Sequence, residues 1–211
     1  MGNSVGFFTL CKLTSQKMRG KWGTLIGGSV CYTLIMGSAN QFAGFLAAVL
    51  LAPLTAGMNK LSLSAMQEKE IKFGILFNPF NEYGRYVWGV LRPTLFTMLW
   101  GLLFIVPGII AALRYSQTLF LMVDDPSLDP ESAMKRSCEL VKGAKWRLFG
   151  YGLLWAVVFI LVSVLTLCIG LLWLIPFVMC FYAQFYLSLC EEKGFTAAVP
   201  EIPAEEIPVQ E

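Results

Sequence analysis

The sequence predicts an all-α, polytopic membrane protein of six transmembrane helices in three hairpins, with two amphipathic interfacial helices. Three observations carry that expectation. Of 211 residues, 56% are hydrophobic and 14% charged, against about 25% charged in an average soluble chain, and the mean hydropathy is +0.65. Two stretches, Gly23 to Asn59 and Leu148 to Cys190, carry no charged residue. A third, Tyr86 to Val123, is apolar for far longer than the roughly 20 residues one helix needs to cross a bilayer. It therefore reads as two helices folded back near Gly101 to Gly108, where glycines and Pro107 weaken helix continuity.

Taken in order, residues 1–22 form an amphipathic N-terminal segment. Val5, Phe8, Cys11 and Leu13 fall near one side of a helix, with Lys12, Lys17, Arg19 and Lys21 mostly elsewhere. Trp22 stands where an indole sits among headgroups. No small-residue cleavage site follows the first apolar run, so that span is expected to stay as an anchor. Residues 23–190 are the expected membrane domain, with helices at about 23 to 38 and 42 to 60 divided at Ser38-Ala39-Asn40-Gln41. Within it, 60–85 and 124–147 read as charged loops, the first ending in the turn-like Phe77-Asn78-Pro79-Phe80-Asn81. In the second, Asp129-Pro130-Glu131 supplies an N-cap, a proline suited to N1 and an early acid, so a helix begins there. Met134, Cys138, Val141 and Leu148 recur on one side of it, and Lys135, Glu139 and Lys142 on the other. A turn at Thr166 to Gly170 makes the third hairpin. Residues 191–211, rich in proline and glutamate, are expected to be disordered.

Topology follows from counting basic residues near the membrane. The N-terminal segment and both loops carry them, and the three expected hairpin apices carry none. An even number of crossings between these segments puts them all in the cytoplasm, which predicts six spans with both termini inside. A net charge of +2 without a basic stripe speaks against nucleic acid. The six cysteines form no CxxC pair and read as small apolar packing residues, and the absence of histidine removes every imidazole ligand or base. Asp124, Asp125 and Asp129 read as loop and cap residues rather than metal ligands. No catalytic residue, metal or cofactor is expected.

Gly101-Leu-Leu-Phe-Ile-Val-Pro107 recurs as Gly170-Leu-Leu-Trp-Leu-Ile-Pro176. Tyr115-Ser116-Gln117 then finds an echo in Tyr182-Ala183-Gln184, and Asp124-Asp125 in Glu191-Glu192. The pattern is that of a duplicated hairpin or of reused packing. Lys21-Trp22-Gly23, Leu99 to Ile110, Asp124-Asp125-Pro126, Ala133-Met134-Lys135-Arg136-Ser137, Lys142 to Phe149 and Gly170 to Pro176 together resemble the bacterial membrane family catalogued as domain of unknown function nine hundred and seventy-five. A weaker similarity, centred on the Ala-x-x-x-Ser and Lys-x-x-Lys-Trp-Arg region, is to the membrane domain attached to some glycerophosphodiester phosphodiesterases. The first resemblance implies an integral protein of the bacterial plasma (inner) membrane with no established activity, and supplies no catalytic residues.

Arg114 is the one ionisable residue well inside an expected span. An arginine there costs about 2.5–3.5 kcal/mol on insertion scales, so it should face protein, water or an anion. With Gln117 one turn away, it is the candidate contact for an anionic solute or lipid; the bland reading is that it snorkels to the headgroups or caps free carbonyls. Arg92 lies nearer the membrane end and reads as snorkelling. Lys142, Lys145 and Arg147 are candidate headgroup contacts at the anionic leaflet, or simply topology determinants. The first functional reading is a non-enzymatic structural or accessory module whose partners are the lipid bilayer, anionic lipids, and a second copy or a partner membrane protein. The second is a small transporter or lipid-handling protein, which needs the polar residues Asn40-Gln41, Arg114-Gln117 and Gln184 to converge.

Overall fold

A computed structural model describes residues 6–67, 69, 71–166 and 170–195, with backbone alone described at 39–50 and at Ile105. The described residues form helices α1 (Phe7–Lys17), α2 (Trp22–Leu50), α3 (Ala52–Met66), α4 (Tyr83–Leu103), α5 (Ile105–Tyr115), α6 (Thr118–Asp124), α7 (Pro130–Val141), α8 (Lys145–Leu165) and α9 (Leu171–Lys193), with 3-10 turns at Phe73–Leu76 and Asn78–Glu82. Among these residues there is no strand, as expected. Val106–Asp124, Lys145–Leu165 and Leu171–Lys193 are long and apolar enough to cross a membrane. This is a membrane protein built from helices.

The centre of the packing is α3. Eleven of its 15 residues are buried, so it serves as the axis on which α2, α4, α6 and α9 pack. Gly57 makes this possible: a Cβ there would lie 1.9 Å from the Leu76 carbonyl oxygen, so the first 3-10 turn runs directly over the helix. Lys60 to Met66 thus belongs to α3 rather than to a charged loop.

The first apolar run divides later than expected. α2 continues unbroken through 38–41 to Leu50, and the Ser38 hydroxyl donates to the Ile35 carbonyl, 3.0 Å away, inside the helix. Short polar side chains can turn back on their own helix in this way, so they need not end it. The break comes at Leu51, two residues before Pro53, whose ring and missing N–H forbid continuation of the preceding helix. The side chains of Asn40 and Gln41 lie outside the described residues.

α1 is helical as expected, but turned. Leu10 and Thr14 face inward, and Phe7 packs against Tyr151, Trp155 and Phe181 at ring centroid distances of 5.3–5.8 Å. Phe8 is 87% exposed. With phenylalanine at both 7 and 8, the aromatic nest on α8 and α9 decides which one enters. Val5 lies outside the described residues.

The central stretch breaks at Phe104, which is extended (φ −155°). α4 and α5 pack against each other on either side of it, so closely that a Cβ on Gly108 would stand 2.6 Å from the Gly101 Cα. α5 stops at Tyr115 and α6 restarts at Thr118. α9 outlasts the expected span, ending at Lys193 with Gly194 in the left-handed conformation (φ 65°). Leu167 to Ile169 in the expected third turn, and the tail from residue 196, lie outside the described residues.

α7 starts where its cap chemistry puts it. The Asp129 carboxylate accepts from the backbone N–H of Glu131 and of Ser132, both at 3.1 Å. The Ser132 bonds hold its carboxyl below the ordinary carboxylate value, and Lys135, then Arg92, do the same for Glu131. A lowered folded value means that the stabilisation is complete above the unfolded value and fades as pH falls through the folded one. Acidification below about pH 4 is therefore expected to fray the first turn of α7. Hydrogen exchange should show this in the wild type, and at neutral pH in Asp129→Ala.

Candidate functional site

α7 lies across α4 and α5 because its buried residues, Ala133, Ser137, Leu140 and Val141, lie on one side. Of the residues expected on its apolar side, Val141 and Leu148 are buried, whereas Met134 and Cys138 stand on an adjoining face. There they form one wall of a cleft of about 750 Å³ together with Glu131, Lys135 and Glu139, which follow one another at intervals of four residues. The opposite wall consists of Arg92 and Phe96 of α4 and Arg114 and Tyr115 of α5.

Charge within the cleft is unevenly partnered. Glu131 holds both Arg92 and Lys135, each at 3.1 Å. Among the described residues, no carboxylate stands within 4.0 Å of Arg114. The Arg114 backbone is nonetheless anchored: its carbonyl, freed because α5 ends one residue later, accepts from the Ser137 hydroxyl at 2.7 Å. The helix end is therefore held in place while the guanidinium stays open to the cleft.

Gln117 does not join Arg114. The helix ends between them, and Gln117 turns into the core at 1% exposure, its amide nitrogen 3.1 Å from the Ser116 hydroxyl and its carbonyl oxygen without a partner among the described residues. The carbonyl oxygen of Gln184 is likewise buried and, among the described residues, unpartnered, and neither glutamine lines the Arg114 cleft.

Lys142, Lys145 and Arg147 also separate. Arg147 donates twice to Glu192, at 2.9 and 2.7 Å, and so joins the start of α8 to the end of α9. That bidentate pairing occupies the fork that a headgroup would need. Lys142 is exposed in the turn before α8, its carbonyl accepting from Lys193 Nζ at 2.9 Å. Lys145 borders a separate apolar groove of about 330 Å³ between α5 and α8, beside Trp146 and Phe149.

The basic residues of the N-terminal segment are partly committed as well. Lys17 Nζ donates to the Met66 carbonyl (2.8 Å), and Lys21 Nζ to those of Ala65 (3.3 Å) and Lys69 (3.1 Å). Cations at the C-terminal end of α3 satisfy carbonyls the helix leaves open and complement its dipole.

Three aspartates expected in a loop point to three different partners. Asp129 caps α7. Asp125 faces Ser127 and Arg136, its carboxylate 3.0 Å from the Ser127 N–H and 3.8 Å from the guanidinium. Asp124 is no loop residue: it ends α6, is 5% exposed, and accepts from the Tyr186 hydroxyl (2.9 Å) and the Gln67 amide (3.2 Å). Among the described residues no three His, Cys, Asp or Glu side chains are grouped to hold a metal.

The roles of Glu131 and Glu139 escaped the sequence reading, although their spacing with Lys135 was a signal. One acid, one base and one acid four residues apart form a single stripe, and a charged stripe needs a polar or solvated counterpart.

A family model described as "Protein of unknown function (DUF975)" matches residues 85–193, just over half of the 211-residue chain, from the start of α4 through the end of α9. No curated protein and no solved structure matches the chain. This membrane protein therefore belongs to the DUF975 family.

Proposed function

We infer that the protein is a non-enzymatic accessory module of the bacterial inner membrane, crossing six times with both termini in the cytoplasm. It works through contact with lipid or a protein partner rather than by turning over a substrate. The observation that carries this reading is the gathering of the charged segments at one end of the helices. Lys17 and Lys21 reach 65–69, Gln67 reaches Asp124, Arg85 reaches the carbonyls of Asp125 and Leu128, and Arg147 reaches Glu192. Segments so joined share a side of the membrane, and basic segments favour the cytoplasm. α2, α3, α4, the α5–α6 pair, α8 and α9 supply the six crossings.

Transport is the weaker reading: of the polar residues it would use, Gln117 and Gln184 do not line the Arg114 cleft, and the side chains of Asn40 and Gln41 lie outside the described residues. The test is accessibility. Lys69→Cys and Lys135→Cys, each in a cysteine-free background, should resist a membrane-impermeant thiol reagent in intact cells and react after permeabilisation. Thr166→Cys, between α8 and α9, should react from outside. Labelling of Cys at 69 or 135 in intact cells overturns the topology.

A further inference from the structure

The Arg114 cleft offers a charge with no counterpart among the described residues and a route away from it that suits hydrocarbon. Arg92, Arg114 and Lys135 stand against Glu131 and Glu139, three cations to two carboxylates, leaving one net positive charge. Glu131 already engages two of the cations, so the available one is Arg114. A guanidinium is the side chain best shaped to grip a phosphate with two parallel hydrogen bonds. At about 750 Å³, the cleft lies within the roughly 300–1,000 Å³ range of small-ligand sites.

Beyond the cleft the same helix faces turn apolar and stay uncovered. On α4, Arg92 and Phe96 are followed at helical spacing by Leu99 and Leu103, both exposed; on α5 Ile110 and Val106, one and two turns before Arg114, are exposed as well and line the neighbouring apolar groove beside Trp146 and Phe149. A soluble anion would use only the guanidinium. A lipid would also use that strip.

We propose that the cleft is a headgroup site for an anionic phospholipid, Arg114 gripping its phosphodiester and the outer faces of α4 and α5 carrying its acyl chains. Glu131 sets the strength of the site by keeping Arg92 and Lys135 occupied. The proposal rests on the membrane reading above for the presence of lipid, not on the number or direction of crossings.

The experiment is native mass spectrometry of the full-length protein in non-ionic detergent, titrated with phosphatidylglycerol, with phosphatidylcholine as a zwitterionic control and inorganic phosphate as competitor. Phosphatidylglycerol should bind at one saturable site about tenfold more weakly in Arg114→Gln. Arg114→Lys, which keeps charge without the fork, should fall between. Glu131→Gln should bind about fivefold more tightly, since it releases two cations toward the lipid. Thermal midpoints of the two Arg114 variants, at an exposed position, should match wild type. Phosphatidylcholine, whose phosphodiester comes with a choline cation that the net positive charge of the cleft repels, should bind more weakly than phosphatidylglycerol, and millimolar phosphate should displace nothing.

Unchanged phosphatidylglycerol binding in Arg114→Gln overturns the proposal, as does weaker binding in Glu131→Gln. Equal affinity for the two lipids removes the anionic requirement and overturns it too. Displacement by phosphate alone assigns the site to a soluble anion and overturns the lipid assignment. Because binding is read in detergent, failure here leaves the topology reading standing, and outside labelling at 69 or 135 leaves the lipid site standing.

Discussion

Asp124→Leu is expected to destabilise the folded protein by about 3 kcal/mol, the scale on which removing one partner strands buried polar groups. Asp124 closes α6 at a point where three elements meet. Gln67, just past the end of α3, and Tyr186, in the middle of α9, both donate to its carboxylate. Tyr186 is also fully buried and stacks on Phe120 of α6, ring centroids 5.6 Å apart and planes within 17°. Leucine would fill the space but leave a buried phenol and a partly buried amide without their acceptor.

Graded substitutions separate the hydrogen bonds from the packing. Asp124→Asn keeps the shape and one strong acceptor, so about half the loss is expected; Tyr186→Phe, which removes one donor, should cost about 1 kcal/mol. In the Asp124→Leu background Tyr186→Phe should cost little or even stabilise, because the hydroxyl has no acceptor left to lose. The coupling should be about 1 kcal/mol, measured by equilibrium unfolding in mixed micelles. If Tyr186→Phe costs the same in both backgrounds, the two groups do not act together and the junction is held by packing alone.

The same residue shows what could be read from the chain. In sequence, Asp124-Asp125-Pro126 has the composition of a loop, and nothing nearby contradicts that. The groups that make Asp124 a core residue lie 57 and 62 residues away, and only the fold brings them together. Local chemistry was legible: Asp129 caps α7 with its own neighbours, and the α4–α5 break falls among Gly101, Pro107 and Gly108. So was the signal that ends α2, in Pro53, although the polar group at 38–41 drew the boundary instead.

The internal echo was legible as letters but not as structure. Gly101 to Pro107 contains a helix break at Phe104, whereas Leu171 to Pro176 lies wholly within α9. Tyr115-Ser116-Gln117 spans a helix end, and Tyr182-Ala183-Gln184 a helix interior. Apolar segments share vocabulary because lipid asks the same of each, so similar words need not fold alike. The basic residues illustrate a related limit. A count near the membrane treats Lys17, Lys21, Arg19 and Lys12 alike, yet the first two are bonded to the end of α3. At Arg114, sequence reasoning found the open charge but misplaced Gln117, since α5 ends between them.

Arg85→Ala should cost about 3 kcal/mol, close to the Asp124 effect but for a different reason. Arg85 sits in the first turn of α4 with its side chain 15% exposed. Its guanidinium donates to the carbonyls of Met122 (3.0 Å), Asp125 (2.9 Å) and Leu128 (2.8 Å). Those oxygens belong to the end of α6 and the loop after it, where helical N–H groups run out, although the Asp125 carbonyl also accepts the Leu128 N–H at 3.2 Å. One planar group thus closes a helix end and fastens α4 to the loop that leads into α7. Its bond to Glu82 (2.8 Å) is a local pair with a half-exposed partner, of a kind that contributes little.

The prediction turns on that contrast. Glu82→Gln should shift stability by less than about 0.5 kcal/mol. Arg85→Lys should recover roughly half of the alanine loss, because an ammonium keeps the charge at the helix end but cannot reach three carbonyls at once. Arg85→Met, which preserves the stem without the charge, should remain near alanine. Hydrogen exchange should also show 122–128 opening in Arg85→Ala before α9 does, since the carbonyls that lose the guanidinium lie there. A loss in Glu82→Gln as large as that in Arg85→Ala would mean that the ion pair holds this corner and the carbonyl clamp does not.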